Sequence, residues 1–361
     1  MRSPPGEGAE CGRRRVVEER SQGAGLVRWI GTGDVDGKGR GMQEGGIRTL
    51  GAEEARATRA AHEERADALT AAHRARKQRG EKHPVEDFLF TYYPFSPARL
   101  RRWHPGWRTA YEASADVGPD GAPAIPDVDE AGRRSWYLDE PGNVDGGSVL
   151  RRADVHRYVT ERADARSFMT RLLRASTLTR RRPEFGCFGL HEWAMVHGLR
   201  PGQQRHEDLP LRLTQAETDQ VVERENLLCS HLDAFRFFTP SAAPLNSLTP
   251  TRATQVDNDN PACLHVGMDL YKWAMKLTPL VPSDLVLDCF EHARETRVLD
   301  MEASPYDVRP LGYGVVAIET PAGKAEYVRR QRALAQRADA LRERLLAELE
   351  GLPQVTAHGA V

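Results

Sequence analysis

The sequence predicts a mainly α protein, α-rich with minor β structure and built as a single globular helical domain, and three observations predict it. Apolar residues recur at helical spacing over residues 151–179, 187–197, 263–277, 283–303 and 323–350. The strand candidates, "LPLRL" (209–213) and "GVVAIE" (314–319), are short and isolated. No self-similarity appears at a period of roughly 20 to 50 residues, which excludes solenoid architectures.

Taken in order, residues 1–51 are dense in Gly and Arg and have too few periodic apolar positions to offset the entropy of ordering. They are expected to form a disordered extension, or to reflect a misplaced start, since a start at Met42 removes most of them. From Glu53 to Gln78 an Ala/Glu/Arg-rich run predicts a helix, with Ala57, Ala60, Ala61, Ala68, Leu69 and Ala72 as its weak apolar stripe. Residues 83–108 read as a short aromatic helix, a Pro-bounded turn and a basic helix stopped at His104-Pro105-Gly106. Residues 113–149, rich in Pro, Gly and Asp, read as a long loop with a short strand at "RSWYL". Residues 52–350 are thus one α-rich domain, and residues 351–361 are a C-terminal tail.

The formal charge of −1, from 51 basic and 52 acidic residues, gives no overall field toward nucleic acid or an anionic membrane. No run of about 18 apolar residues and no basic-then-apolar leader is present, so neither a membrane partner nor secretion is expected, and a cytoplasmic location is. Five cysteines in a core-forming chain of 361 residues fit reduced thiols better than a disulfide frame.

Four cysteines each stand within four residues of a histidine: Cys187 with His191, Cys229 with His231, Cys263 with His265 and Cys289 with His292. Two of these are CxH pairs, whose members share a face in extended chain but lie about 200° apart on a helix, so a helical Cys263–His265 pair cannot chelate. No metal is assigned on that ground. Along 284–295, Asp284, Asp288, Glu291 and Glu295 lie opposite Val286, Phe290 and Ala293, the pattern of an amphipathic helix with its acids in water. Over 263–277 the pattern is reversed. His265, Asp269, Lys272 and Lys276 make a narrow polar stripe on a helix otherwise apolar, so the stripe meets an edge, a buried network or a pocket. His265 and Asp269 stand at i and i+4, within hydrogen-bonding reach, and Lys272 lies one turn from the acid. In "FGCFGLHEWAMVHGL" (185–199), Glu192 beside Trp193 is either an acid raised by its apolar surroundings or a first-turn carboxylate on the helix dipole. GxGxxG, GxxxxGK[ST], GxSxG and HExxH are all absent.

Five stretches together carry a resemblance: "EKHPVEDFLFTYYPFSPARLRRWHPG" (81–106), "FGCFGLHEWAMV" (185–196), "CSHLDAFRFFTPSAAPLN" (229–246), "CLHVGMDLYKWAMKLTPLVPSDLVLDCF" (263–290) and "LDMEASPYD" (299–307). Over roughly residues 52–350 the chain resembles an actinobacterial family commonly labelled 3-methyladenine DNA glycosylase. The resemblance implies a cofactor-independent DNA N-glycosylase that excises alkylated purines in base-excision repair. Such an enzyme must flip the base, stack it on aromatic rings and supply a carboxylate. The candidates are Asp269 first and Asp233 second as carboxylates, with His265 and Glu192 as further catalytic groups. Trp193, Phe235, Tyr271 and Trp273 are candidate stacking rings, and Arg101, Arg102, Arg180, Arg181 and Arg182 are candidate phosphate contacts on DNA. Two other readings stand beside this one: a metal-dependent hydrolase or oxygenase using the Cys/His/Asp set, and a non-enzymatic helical binding protein.

Overall fold

The computed structural model describes residues 47–118, 120–122, 134–142, 148–200, 202–204, 206 and 209–353. In chain order these form β1 (Arg48–Leu50), α1 (Ala52–Gln78), α2 (Phe88–Tyr92), α3 (Pro97–Leu100), β2 (Thr109–Glu112), β3 (Tyr137–Pro141) and β4 (Val149–Ala153). There follow α4 (Val155–Glu161), α5 (Ala163–Ala175), α6 (Leu190–Ala194), α7 (Gln215–Arg224), α8 (Leu232–Phe235) and α9 (Gln255–Asn258). Three longer helices complete the order: α10 (Leu264–Leu277), α11 (Ser283–Glu302) and α12 (Pro321–Glu350). The protein is mainly α with one small sheet, as its periodicity predicts, and no helix among the described residues is long and apolar enough to cross a membrane.

The sheet is not where the sequence places it. Its order is β1-β2-β4-β3, with β1 parallel to β2 and the other two pairings antiparallel. β1 falls inside the expected extension, where Arg48 pairs with Thr109 and Leu50 with Tyr111; residues 1–46 lie outside the described residues. β3 begins within "RSWYL", and β4 takes the start of the expected helix 151–179. That helix is further divided: the Asp154 side chain accepts from the Arg157 N–H to cap α4, and the chain leaves helical geometry at Arg162 before α5. The expected strands are corrected to irregular chain. Leu211 makes one isolated bridge to Tyr306, and residues 314–319 are tied to α11 by a Val316 N–H to Glu302 carbonyl bond. Their apolar side chains, Leu209, Val316 and Ile318, fill core instead of pairing with a partner strand.

The long helices have local reasons to start. Pro321 occupies the first turn of α12 and the Thr320 hydroxyl accepts from the Gly323 N–H. Thr214 and Glu217 form a capping box on α7. α10 is the pivot of the packing. Met268, Leu270, Tyr271, Trp273 and Leu277 join α11, α12 and α5 in one apolar cluster, while Leu264 at its start joins Leu190, Trp193, Cys229 and Tyr327 in a second. At Gly267 the three long helices come close: a Cβ there would lie 3.1 Å from His292 Nε2 and 3.7 Å from Ala338 Cβ. Gly267→Val is therefore expected to lower the thermal midpoint, at an overpacking cost of about 1–3 kcal/mol, read by calorimetry or circular dichroism.

Candidate functional site

The polar stripe of α10 runs from the buried His265 and Asp269 to Lys276 at the surface. Asp269 is 2% exposed and its carboxylate accepts from the Tyr93 hydroxyl at 2.8 Å and from His231 Nε2 at 3.2 Å, and it is ion-paired with Lys272. Burial alone raises an acid, but the Lys272 charge and the His231 bond outweigh it and hold Asp269 well below the usual carboxylate range. Tyr93, hydrogen-bonded to that carboxylate in a fully buried site, is pushed well above its ordinary value. His265 does not bond Asp269, contrary to the i, i+4 expectation. Its ring instead lies between two other imidazoles, stacked on His231 at 5.1 Å and edge-on to His191 at 4.5 Å.

His191 opens the other half of the network. It sits on α6, entered through left-handed Gly189, and its Nε2 is 2.8 Å from Asp300 Oδ1 on α11. Arg297, one turn before Asp300, pairs with that carboxylate and donates to Glu192 Oε1 at 2.7 Å, with its guanidinium 3.9 Å from the centre of the Phe88 ring. Burial lowers His191, yet Asp300 more than compensates and raises it to about 10, while burial and the neighbouring His191 hold His265 well below its usual range. The donor atoms of His191, His265 and Asp300 lie within 4.8 Å of one another, and so do those of His231, Asp233 and Asp269. Each set already contains a built-in cation, Arg297 in the first and Lys272 in the second, so the charge a divalent ion would bring is supplied by the chain.

One carboxylate of the network reaches water. The Asp233 side chain is 31% exposed, 3.5 Å from Lys272 Nζ and 3.6 Å from Arg236 Nη1. Around it stand cations laid over rings: Arg236 over Phe237 at 4.7 Å, Lys272 and Lys276 over Trp273 at 4.4 and 5.2 Å, and Arg252 over Phe168 at 4.3 Å. Burial and then the charges of Lys272 and Arg252 lower Lys276, which locates these groups in one electrostatic neighbourhood.

The sequence-derived candidates divide accordingly. Asp269, His265 and Asp233 converge with His231, and Glu192 belongs to the His191 half. Trp193 is buried and donates its indole N–H to the Ala303 carbonyl. Tyr271 is wedged edge-on among Tyr93, Phe95 and Phe290, and Phe235 packs on Phe238. Trp273 is the one candidate ring that lies under the cationic rim. Arg101 is taken by Glu63 and Asp67, the Arg102 carbonyl accepts from Ser283, and Arg181 donates to the Val256 and Asp259 carbonyls, while Arg180 and Arg182 are exposed. Tyr93, Arg297, Asp300, Arg252 and Arg236 are the participants that sequence reasoning did not place. Only Arg297 and Asp300 left a signal, for they continue the Phe290–Ala293 apolar face at helical spacing.

No family model, no curated protein and no solved structure matches the chain.

A further buried acid borders the network. Asp259 is 2% exposed, its Oδ1 has no partner, and burial pushes it up to about 6. The folded chain thus holds this proton more tightly than the unfolded chain, whose Asp titrates near about 4. Stability from this group is fully present below that value and is lost as pH rises toward 6. Asp259→Asn is expected to flatten the pH dependence of the unfolding midpoint over this interval and to stabilise the protein at neutral pH by on the order of 2 kcal/mol.

Proposed function

We propose that the chain is a hydrolase of N-glycosidic bonds that excises alkylated purines from DNA, with Asp233 as the acting carboxylate. The resemblance of residues 52–350 to the glycosylase-labelled family motivates the substrate. The single observation that carries the chemistry is the surface around Asp233, a carboxylate at the wet edge of a buried network, ringed by Lys272, Lys276, Arg236 and Arg252 over aromatic rings. Cations interleaved with rings are what phosphate contact and base stacking require.

Asp233 takes the role that sequence reasoning gave first to Asp269. Asp269 is enclosed and committed to three partners, whereas Asp233 is open to an incoming sugar. In this reading the backbone phosphates rest on Lys276, Arg236 and Arg252, and the flipped base meets the Phe237 face. As the C1′–N bond breaks, its electron pair leaves with the already cationic base. The Asp233 carboxylate steadies the cationic sugar and accepts a proton from the water that attacks C1′. Lys272 stands 3.5 Å from the Asp233 carboxylate, and Asp269 with Tyr93 and His231 fixes Lys272.

The test is release of free methylated base from alkylated duplex DNA. Wild type is expected to release base and Asp233→Asn to lose at least about 100-fold, the usual order for a general base. A wild type indistinguishable from background overturns the reading. Binding to duplex DNA is expected to show a salt dependence whose slope falls by about one for each of Lys276→Ala and Arg252→Ala.

A further inference from the structure

We infer that Lys276 gives the site a second activity, cleavage of the DNA strand at the sugar whose base has been removed, its amine condensing with the C1′ aldehyde while Asp233 takes the C2′ proton. The inference rests on the excision reading, because excision leaves a sugar whose ring-opened form carries an aldehyde at C1′. A carbonyl of this kind is the partner with which a lysine amine forms a Schiff base.

Elimination among the cations of the rim singles out this residue. Arg236 and Arg252 do not give up a proton in a protein, so neither supplies an amine. Lys272 is ion-paired with Asp269 and stands 3.5 Å from Asp233, which commits its ammonium group to two carboxylates. Lys276 lies one turn further along α10, is exposed, and makes no ion pair among the described residues. It is the end of the α10 polar stripe that no acid answers.

Its placement is set by what lies beneath it. The Tyr158 hydroxyl donates to the Lys276 carbonyl at 2.6 Å, which holds the last turn of α10, and Lys276 Nζ lies 5.2 Å from the centre of the buried Trp273 ring. Lys272 Nζ lies over the same indole at 4.4 Å, so one ring carries both ammonium groups, and the second of them adjoins Asp233. Phe168 meets Trp273 edge-on at 6.2 Å and bears Arg252 at 4.3 Å, and Arg252 donates to Gln255 Oε1 at 2.7 Å. Cations crowded beside an amine that no carboxylate claims bring it toward its neutral, nucleophilic form. Burial, then Lys272 and Arg252, lower Lys276, and the weaker opposing pull of Asp269 and Asp233 does not reverse this.

The steps balance with water as the only co-reactant. The neutral amine adds to the C1′ carbonyl and, with uptake of one proton, loses water to give a protonated imine. The imine draws electrons from C2′, and the Asp233 carboxylate accepts the C2′ proton. The C2′–H pair becomes the C2′=C3′ double bond, the C3′–O bond breaks, and the 3′ phosphate leaves with that bond's electrons. Water then hydrolyses the imine, which releases an unsaturated aldehyde and returns the amine and the proton first taken up, while Asp233 passes its own proton to solvent. The phosphate on which Lys276 rests during excision flanks this sugar, so the amine is one sugar away from C1′, and Arg236 and Arg252 continue to hold the backbone when it turns to the aldehyde.

The experiment presents the full chain with duplex DNA carrying a preformed abasic site, with borohydride added to reduce the imine to a stable amine. Wild type is expected to form a covalent adduct that peptide mass spectrometry places on Lys276 and, without borohydride, to nick the strand and leave a 5′ phosphate. Lys276→Arg, which keeps the charge, is expected to lose both adduct and nicking while retaining the salt dependence of DNA binding, and Asp233→Asn to keep the adduct and lose the nicking. No adduct from wild type overturns the inference without requiring any variant to fold. An adduct on another amine, or one retained by Lys276→Arg, overturns the choice of lysine, and nicking retained by Asp233→Asn overturns the choice of base. Because the abasic site is supplied ready-made, base release from alkylated DNA without an adduct overturns strand cleavage alone, and an adduct on Lys276 without base release overturns excision alone.

Discussion

A charged stripe on a helix that packs on nearly all sides has to find its counter-charges inside the protein, and this constraint organises the structure. α10 carries Asp269 and Lys272 into an interior where an isolated carboxylate would cost several kcal/mol. Tyr93 from the segment after α2, His231 from the residue before α8 and Lys272 from α10 itself meet that cost together. The same solution is repeated on α11, where Arg297 answers both Asp300 and Glu192. Buried pairs of this kind add little net stability over a hydrophobic replacement, but removing one partner leaves an unpaired charge. These contacts tie α6, α10, α11 and the residue before α8 to one another.

Asp233 and the rim of Lys276, Arg236 and Arg252 sit where the network meets water, and the ions that fix them lie one layer deeper. His265 links the two halves by ring contact alone, without a hydrogen bond at Nδ1, so the three histidines form a continuous imidazole wall.

Much of the helical frame was legible because apolar periodicity is a local property. Residues 263–277, 283–303 and 323–350 predict α10, α11 and α12 within two residues at each end. The acids of 284–295 do face outward, where Asp288 and Glu291 meet Arg65 and Glu295 meets Arg337. The sheet was not legible. β1 and β2 are three and four residues long, too short to show an alternation, and their pairing joins residues about sixty positions apart.

The sequence by itself determined that α10 would be buried and that His265, Asp269, Lys272 and Lys276 would share one face, because side-chain direction on a helix follows from residue spacing. It also placed four of the five cysteines within four residues of a histidine. Only the tertiary structure decided which groups answer that stripe: Tyr93 rather than His265 bonds Asp269, and Asp233 rather than Asp269 faces water. The physical reason is that hydrogen bonds and ion pairs act over a few ångströms, and chain folding brings residues 176 positions apart, such as Tyr93 and Asp269, within that range.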